Sequence, residues 1–184
     1  MKKTVYLAAV AAAFTFNAQA AEITPVIGLD YAYSNFDFDR SLEDLGIEKN
    51  YNSFVISAGI KLNPYVGIEA FYQKSGEEKS DTLINISTRE TDKAKTSFYA
   101  YGADLIGYYP VVDKLELLGS LGVAQYELEA KAFGYELDGD DLGFRLGVGL
   151  QYNVTENVGL RLMGRHVFMD DDIDEVSAGI RYNF

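Results

Sequence analysis

Several residue types that stabilise or equip other classes of protein are scarce in this chain. Its 184 residues include no cysteine, no tryptophan, one histidine and three prolines. Without cysteine, disulfides contribute nothing to stability. The one histidine, His166, is the only imidazole available as a catalytic base. Residues 21–184 also lack any apolar run approaching the 18 residues of a membrane-spanning helix, so the sequence predicts none there.

Basic residues are also few compared with acidic ones. The chain has 16 Lys and Arg against 28 Asp and Glu, for a net charge of −12. Proteins that bind nucleic acid need basic patches to neutralise phosphates, so this balance argues against a nucleic-acid partner.

The first twenty residues have the organisation of a secretory signal. Lys2 and Lys3 precede an apolar stretch over 5–16, and Ala18-Gln19-Ala20 is a small-x-small cleavage site. The sequence therefore predicts a cleaved signal peptide at 1–20 and one exported domain at 21–184.

The rest of the chain alternates apolar and polar residues with a period of two, which is typical of β-strands. Between the segments, short turns at Asn63-Pro64, 110–113 and 153–156 alternate with polar linkers, three of them longer, at about 35–51, 76–95, 130–141 and the brief 169–173. This pattern predicts an up-and-down antiparallel meander whose long loops lie at one end. The eight alternating segments are 24–34, 52–62, 65–75, 96–109, 114–129, 142–152, 157–168 and 174–184. In the fifth the register is ambiguous, and Leu115, Leu117, Leu121 and Val123 are the preferred outward residues.

The polar faces indicate which way the apolar faces point. A soluble barrel of the lipocalin type would turn its apolar face inward and expose a face dense in charged residues. Here the polar faces are rich in Gly and Ser, with single large charges between them, which suits the crowded lumen of a narrow barrel. Acids come mainly from the early strands and arginines from the late ones, so they can pair across a lumen. The predicted lumen charges are Asp30, Lys61, Glu69, Asp104, Glu116, Arg145, Arg161, Arg165 and Arg181.

Aromatic residues gather near both ends of the strands, as expected of a barrel that meets two membrane interfaces. In lipid only a closed barrel satisfies every backbone polar group. The sequence therefore predicts an all-β protein, an eight-stranded antiparallel up-and-down transmembrane β-barrel. The predicted interface aromatics are Tyr65, Tyr109, Tyr152, Tyr182 and Phe184 at the turn end, and Tyr33, Phe54, Tyr72, Tyr99, Phe144 and Phe168 at the loop end.

Three stretches and the signal peptide resemble the small eight-stranded outer-membrane barrels, a family that includes the OmpA transmembrane domain, OmpX/Ail and the opacity proteins. The stretches are Asn63-Pro64-Tyr65-Val66-Gly67-Ile68-Glu69, Val148-Gly149-Leu150-Gln151-Tyr152-Asn153-Val154 and Arg181-Tyr182-Asn183-Phe184. The resemblance implies an outer-membrane location and insertion by the barrel-assembly machinery, for which Ile180, Tyr182 and Phe184 form the assembly signal. Unlike full-length OmpA, the chain ends at the barrel, so no peptidoglycan-binding domain is expected.

The function expected for such a barrel is non-enzymatic. Its lumen is salt-bridged and largely plugged, and its acidic loops serve envelope integrity, adhesion or another surface interaction. The expected partners are outer-membrane lipid, lipopolysaccharide and a surface or host ligand bound by the loops; no cofactor, metal site or catalytic residue is predicted. The loop acids are Asp37, Asp39, Glu43, Asp44, Glu48, Glu136, Asp138, Asp140, Asp141, Asp170, Asp171 and Asp172.

Two other functions are compatible with the same fold. Rearranged Arg–carboxylate pairs could open a narrow porin-like channel, although a lumen of eight strands is usually filled by its side chains. A hydrolase of lipid A or of peptides at the rim would have to use His166. Lipid A deacylases pair a histidine with a serine two residues further on, and that position here is Phe168. The sequence thus favours a surface histidine over a catalytic one.

Overall fold

The computed structural model describes residues 23–36, 50–76, 78–84, 91–132 and 135–184. For 78–84, 91–96, 129–132 and 135–139 it describes the backbone only. The predicted signal peptide, 1–20, and the acids of 37–49 lie outside the described residues. The strands are β1 Thr24–Phe36, β2 Asn50–Asn63, β3 Val66–Ser75, β4 Glu78–Ile84, β5 Thr91–Val112, β6 Leu115–Ala132, β7 Tyr135–Asn153, β8 Val158–Phe168 and β9 Ile173–Asn183. No helix among the described residues is long and apolar enough to span a membrane.

The strands close into one antiparallel barrel. Each strand pairs with its neighbours along the chain, except that β3 pairs with β5 and not with β4, and β9 pairs with β1. This last pairing forms the closing seam, which runs from Val26 opposite Asn183 to Phe36 opposite Ile173. The predicted eight-stranded up-and-down barrel is confirmed. One additional strand, β4, is not part of the eight-stranded barrel. It pairs with β5 beyond the end of β3 and so extends the wall at the loop end.

Short turns join the strands at the end where both described termini lie. In the β2–β3 turn the backbone N–H groups of Tyr65 and Val66 donate to Asn63 Oδ1, at 2.8 and 2.9 Å. In the β7–β8 turn Thr155 Oγ1 accepts from the N–H of Val158 at 3.0 Å. Asn and Thr side chains satisfy backbone donors where the ladder stops, which is why turns favour them.

The barrel wall is apolar outside and polar inside, as the alternation predicts. The outward residues include many exposed large apolar side chains, while the inward positions of the same strands are buried or half-buried. In β6, where the register was ambiguous, Leu117, Leu121 and Val123 face out and Leu118 is buried. The exposed apolar band includes Ile27, Leu29, Ile56, Ile68, Leu105, Leu121, Leu146, Val148, Leu150, Leu160, Leu162 and Ile180.

Three connections predicted as linkers or turns are shorter than expected. The linker predicted at 130–141 was wrong, because β6 continues to Ala132 and β7 begins at Tyr135. The linker predicted at 76–95 contains β4 and the start of β5. Pro110, predicted in a turn, belongs to β5 and lies opposite Glu116, so the turn is at Asp113 and Lys114. Glu136, Asp138, Asp140 and Asp141 are therefore strand residues.

An arginine in the apolar band should destabilise the barrel. Leu121 lies in the middle of β6 between Leu105 and Leu146 of the neighbouring strands. We expect Leu121→Arg to lower the free energy of unfolding in lipid by about 2–4 kcal/mol, because the side chain meets hydrocarbon. Gln125→Arg, four residues nearer the loop end, is the control and should cost about 0–1 kcal/mol. Equal losses in urea unfolding from lipid vesicles would contradict the outward assignment of Leu121.

Candidate functional site

The inward faces of the strands carry two groups of charged side chains, and these fill the middle of the lumen. Glycines facing the lumen make room for the large ones. Gly28 of β1 lies opposite Arg181 of β9, and a Cβ added at Gly28 would lie 2.5 Å from Arg181 Nη1. A larger residue at this position would displace the guanidinium.

The first group lies toward the turn end and is centred on Arg181, Asp30, Glu69 and Arg161. Arg181 holds Asp30 with two parallel hydrogen bonds, Nη1 to Oδ1 at 2.9 Å and Nη2 to Oδ2 at 2.8 Å. Arg161 Nη1 and Nη2 each lie 2.9 Å from an oxygen of Glu69. Bidentate pairs of this kind are the strongest arrangement available to arginine and carboxylate. All four side chains are buried.

Neutral side chains complete the first group. The Tyr108 hydroxyl donates to Glu69 Oε1 at 3.2 Å, and Gln151 Oε1 accepts from Arg161 Nε at 3.1 Å. Nearer the turns, Lys61 Nζ lies 3.8 Å from Glu116 Oε2 and 4.2 Å from the centre of the Tyr108 ring. The bonds from tyrosine and glutamine reduce the penalty of burying these charges.

The second group lies toward the loop end and is centred on Glu175. Its Oε1 lies 3.1 Å from Arg165 Nη1 and 3.6 Å from Arg145 Nη2, and its Oε2 accepts from Gln73 Nε2 at 2.7 Å. Asp104 is 3.8 Å from both Arg145 and Arg165. Glu175 thus holds two arginines from two other strands in one buried cluster.

The second group is less completely hydrogen-bonded than the first. Asp104 Oδ1, Arg145 Nε and Nη1 and Arg165 Nε are buried without a hydrogen-bond partner in the protein. The Arg145 guanidinium also stacks 3.9 Å from the centre of the Phe71 ring, a cation–π contact. Buried polar atoms of this kind are normally satisfied by ordered water, so we expect water at this level of the lumen.

Two apolar clusters lie against the charged groups. At the loop end Phe36, Tyr51 and Phe98 pack edge to face, with ring centres 5.2–5.4 Å apart. Val167 and Ile173 join the same buried cluster. Ile106, Leu118 and Met163 pack with Tyr108 in a second cluster beside the charges. An apolar layer therefore covers the charged groups on their loop-end side.

The structure places all nine predicted lumen charges on the inside of the wall and brings them into these contacts. Sequence reasoning missed Glu175, the acid with the most partners in the second group. Its signal was available, because Glu175, Ser177, Gly179 and Arg181 are alternate residues and share a face. Gln73, Tyr108 and Gln151 were also missed, since neutral side chains at inward positions carry no distinctive pattern.

The remaining candidate residues lie on the outside or at the ends. His166 faces outward, with Nδ1 2.8 Å from Asp174 Oδ1, Nε2 3.7 Å from Asp172 Oδ2 and the edge of its ring against Phe168. Phe184 is exposed and packs edge to face on Tyr182, ring centres 5.0 Å apart, and its N–H donates to Pro25 O at 3.1 Å. The role of Ile180, Tyr182 and Phe184 in assembly stays a prediction.

The comparison with protein families decides the classification. The model of the outer membrane protein beta-barrel domain matches residues 6–184. The chain belongs to this family. As a member of the outer membrane protein beta-barrel domain family it lies in the outer membrane, and its exposed apolar band faces lipid. No protein of established annotation matches the sequence closely enough to count.

Solved structures of other outer-membrane barrels have the same fold. Neisserial surface protein A is 18% identical with a TM-score of 0.63, and the match covers 88% of this chain and 97% of that one. Ail of Yersinia pestis is 18% identical with a TM-score of 0.57 and the same coverage. The N-terminal barrel domain of Pseudomonas aeruginosa OprF is 13% identical with a TM-score of 0.57, covering 86% and 97%. At these identities the likeness establishes a shared fold and does not by itself establish a shared function.

Proposed function

We propose that the protein is a non-enzymatic barrel whose lumen is closed to ions. Its loop end contributes to the integrity of the envelope or binds a partner at the cell surface. The observation that carries the proposal is the set of contacts across the lumen. Arg161 and Arg181 meet Glu69 from other strands, and Arg145 and Arg165 meet Glu175. Side chains that bridge the lumen in this way leave little space along the axis.

The balance of charge in the lumen supports a structural role. Among the side chains that the structure describes, those of the two lumen groups are five acids and five bases: Asp30, Glu69, Asp104, Glu116 and Glu175 against Lys61, Arg145, Arg161, Arg165 and Arg181. A selective pore usually carries an excess of one sign, which attracts the permeant ion. A balanced, paired set instead stabilises a closed barrel and attracts neither cations nor anions.

The loop end is the part of the molecule that can meet a partner. β5, β6 and β7 continue well past the aromatic residues at the interface, and β4 joins them, so four strands extend the wall outward. Function on a rigid scaffold tends to lie in such projecting parts. Ail, named the attachment invasion locus protein, is one barrel of this fold whose name denotes attachment, which supports surface interaction as a role of this chain.

The geometry of His166 supports the absence of hydrolytic activity. Both ring nitrogens face carboxylates, Asp174 and Asp172, and the ring lies on the outer wall against Phe168. A catalytic base needs a concave site in which a nucleophile and a substrate can approach it. We expect His166→Ala to leave the function of the barrel unchanged.

A narrow channel is the second candidate, and the incompletely bonded Arg145 and Asp104 favour it. Water is expected among the side chains of the second group. A rearrangement of the ion pairs of Arg145 and Asp104 would connect this water to both ends of the lumen. The apolar layer of Phe36, Tyr51 and Phe98 lies across that route at the loop end, and dewetted apolar constrictions block ions.

Planar-bilayer recordings distinguish the two candidates. We expect the refolded protein to show no stable single-channel current, because the lumen is bridged and capped. Phe98→Ala combined with Glu175→Gln removes part of the cap and the centre of the second group, and should produce measurable current. The variant Leu142→Ala, on the outer wall, is the control and should stay silent. A stable current from the unaltered protein, abolished by Glu69→Gln or Arg145→Gln, would contradict the closed lumen and establish a channel.

A further inference from the structure

The turn between β8 and β9 lies against the apolar layer at the loop end of the lumen. It joins Phe168 to Ile173 through Met169 and three consecutive aspartates. Met169 is half-buried and packs against the cluster that contains Phe36 and Tyr51. A change in the position of this turn therefore alters the layer that covers the charged groups.

One aspartate of the turn connects its backbone to the barrel wall. Asp172 Oδ1 accepts from the backbone N–H of Met169 at 3.3 Å, which closes the turn. The other oxygen of the same carboxylate, Oδ2, lies 3.7 Å from Nε2 of His166 on β8. We call Met169, Asp172 and His166 the turn clasp.

The two ring nitrogens of His166 differ in their hydrogen bonding. Nδ1 lies 2.8 Å from Asp174 Oδ1, which is a hydrogen-bond distance, whereas the 3.7 Å from Nε2 to Asp172 is too long for one. A carboxylate only accepts, so the single proton of a neutral imidazole is placed on Nδ1. Nε2 then presents a lone pair to Asp172, and two acceptors do not bond. The geometry is that of the neutral ring.

A second proton on the ring changes this arrangement. A protonated histidine donates from both nitrogens, so Nε2–H donates to Asp172 while Nδ1–H keeps Asp174. The contact with Asp172 has to shorten by about 1 Å to reach the length of a charge-assisted hydrogen bond. Imidazoles gain this proton between about pH 8 and about pH 5. The side chain of His166 is 37% exposed, so the proton has access to it.

The described side chains that face the ring from neighbouring elements are apolar or acidic. Leu146 of β7 lies opposite His166 on one side, and Asp174 of β9 lies opposite it on the other. Arg165, the preceding residue, is directed into the lumen, where it pairs with Glu175. A proton on His166 is therefore placed among carboxylates. The further charged residues at this turn and beside it are Asp141, Asp170 and Asp171.

We propose that the turn clasp is a pH-sensitive device that holds the β8–β9 turn against the apolar layer in acid. Protonated His166 bonds Asp172, Asp172 fixes the backbone of Met169, and the Met169 side chain packs on the layer. The contact is complete when the imidazole is protonated and is lost as the pH rises and the proton leaves. Loss of the ring therefore has an effect in acid only, and His166→Ala leaves the barrel unchanged in neutral solution. The proposal goes beyond the proposed function and does not depend on it.

The methionine methyl groups report on the turn clasp without a foreign label. The chain has three methionines. Met169 belongs to the clasp, Met163 is 1% exposed in the lumen, and Met1 lies in the predicted signal peptide. Full-length protein with ¹³C-labelled methionine methyls is refolded in lipid nanodiscs, and its spectra are recorded from about pH 8 to about pH 5. We expect the Met169 resonance to move over this range and that of Met163 to stay in place.

Three substitutions assign the response to the ring and its acid. His166→Phe keeps an aromatic ring against Phe168 but cannot take up a proton, so it should abolish the movement of the Met169 resonance. Asp172→Asn keeps the shape of the side chain and should abolish it as well. Asp170→Asn removes the same charge from the same turn and is the matched control, which should respond like the unaltered protein.

Amide hydrogen exchange measures the strength of the clasp. At about pH 5 the backbone N–H of Met169 should exchange about two- to fivefold faster in His166→Phe than in the unaltered protein, the effect of one exposed ion pair. At about pH 8 the two proteins should exchange at the same rate, because the imidazole is then neutral. Each comparison is made at one pH, so the intrinsic exchange rates cancel.

The proposal fails if the Met169 resonance still moves in His166→Phe, since another group then takes up the proton. It also fails if Met163 moves together with Met169, because the whole lumen is then responding. An equal loss of response in Asp170→Asn and Asp172→Asn would show a general effect of charge on the turn. Gel mobility of unheated samples verifies that each variant is folded. Bilayer recordings in neutral solution test the closed lumen separately.

Discussion

Replacing Glu175 with glutamine is expected to destabilise the barrel severely. Glu175 is almost fully buried and holds Arg165 and Arg145, with Gln73 and Ser34 donating to its second oxygen. Glutamine keeps the shape but loses the charge and presents an N–H₂ group to surrounding donors. Two buried guanidiniums then share Asp104 alone, at 3.8 Å from each. Breaking a buried pair of this kind costs about 3–5 kcal/mol.

The residue before Glu175 on the same strand is a matched control. Asp174 also faces a basic group, His166, but its side chain is 77% exposed on the outer wall. Asp174→Asn should therefore change the free energy of unfolding by about 0–1 kcal/mol, as exposed ion pairs do. Adding Arg165→Gln to Glu175→Gln restores the balance of charge and should recover part of the loss. Both are measured by urea unfolding in lipid vesicles, followed by far-ultraviolet circular dichroism. Equal stability of Glu175→Gln and Asp174→Asn would show that the second group is not held by this acid.

Deletion of Phe184 should sharply reduce the amount of barrel inserted in cells while leaving the folded barrel about as stable as before. The side chain is exposed and contacts little beyond Tyr182. The deletion also removes the hydrogen bond from the Phe184 N–H to Pro25 O at the end of the seam. It should therefore alter the free energy of unfolding by no more than about 1 kcal/mol. The resemblance to small outer-membrane barrels implies that the terminal aromatic is read during assembly. The expected defect is one of delivery and not of stability.

Two measurements separate delivery from stability. The first is the heat-modifiable protein recovered from outer membranes, and the second is the urea midpoint of protein refolded in vitro. Tyr65→Ala removes another exposed aromatic from the same end of the barrel and should leave insertion unchanged. If the Phe184 deletion inserts normally, the residue is an interface aromatic and nothing more. If insertion and the urea midpoint fall together, its role is structural.

The sequence predicted the inward and outward faces well because hydrocarbon imposes a strict period of two. Every outward residue from Leu142 to Tyr152 is exposed, and Arg145 and Gln151 between them are buried. The short turns were also predictable, since Asn63 and Thr155 hydrogen-bond backbone donors that the ladder leaves open. Where one face must be apolar and the other polar, a single sequence determines the register.

The strand ends at the loop side could not be predicted in the same way. β5 begins at Thr91, several residues before the predicted start at 96. Above the interface both faces of a strand meet water, so Thr91-Asp92-Lys93-Ala94-Lys95 carries no apolar alternation although its backbone still pairs. The extension of β6 and β7 was missed for the same reason. Hydropathy indicates where the lipid ends, and the hydrogen-bonded ladder continues past that point.

The partners within the lumen also lay beyond the reach of the sequence. Alternation places Arg161 and Glu69 inside, yet nothing in their spacing shows that they meet, since they are 92 residues apart. The tilt of the strands and the shear of the closed barrel decide which levels face each other. Glu175 was missed as a lumen residue because it lies close to a predicted loop, and the sequence does not show which arginines it contacts.

The closing seam has a consequence for when the protein can fold. β1 is sealed by β9, and their paired residues are about 140–160 positions apart in the chain. Until β9 is present, both edges of the growing sheet are unpaired. Arg181, on the inner face of β9, is also missing, so Asp30 has no arginine to neutralise it. We therefore expect a chain that lacks β9 to form no stable part of the barrel. We expect folding to follow complete synthesis of the chain.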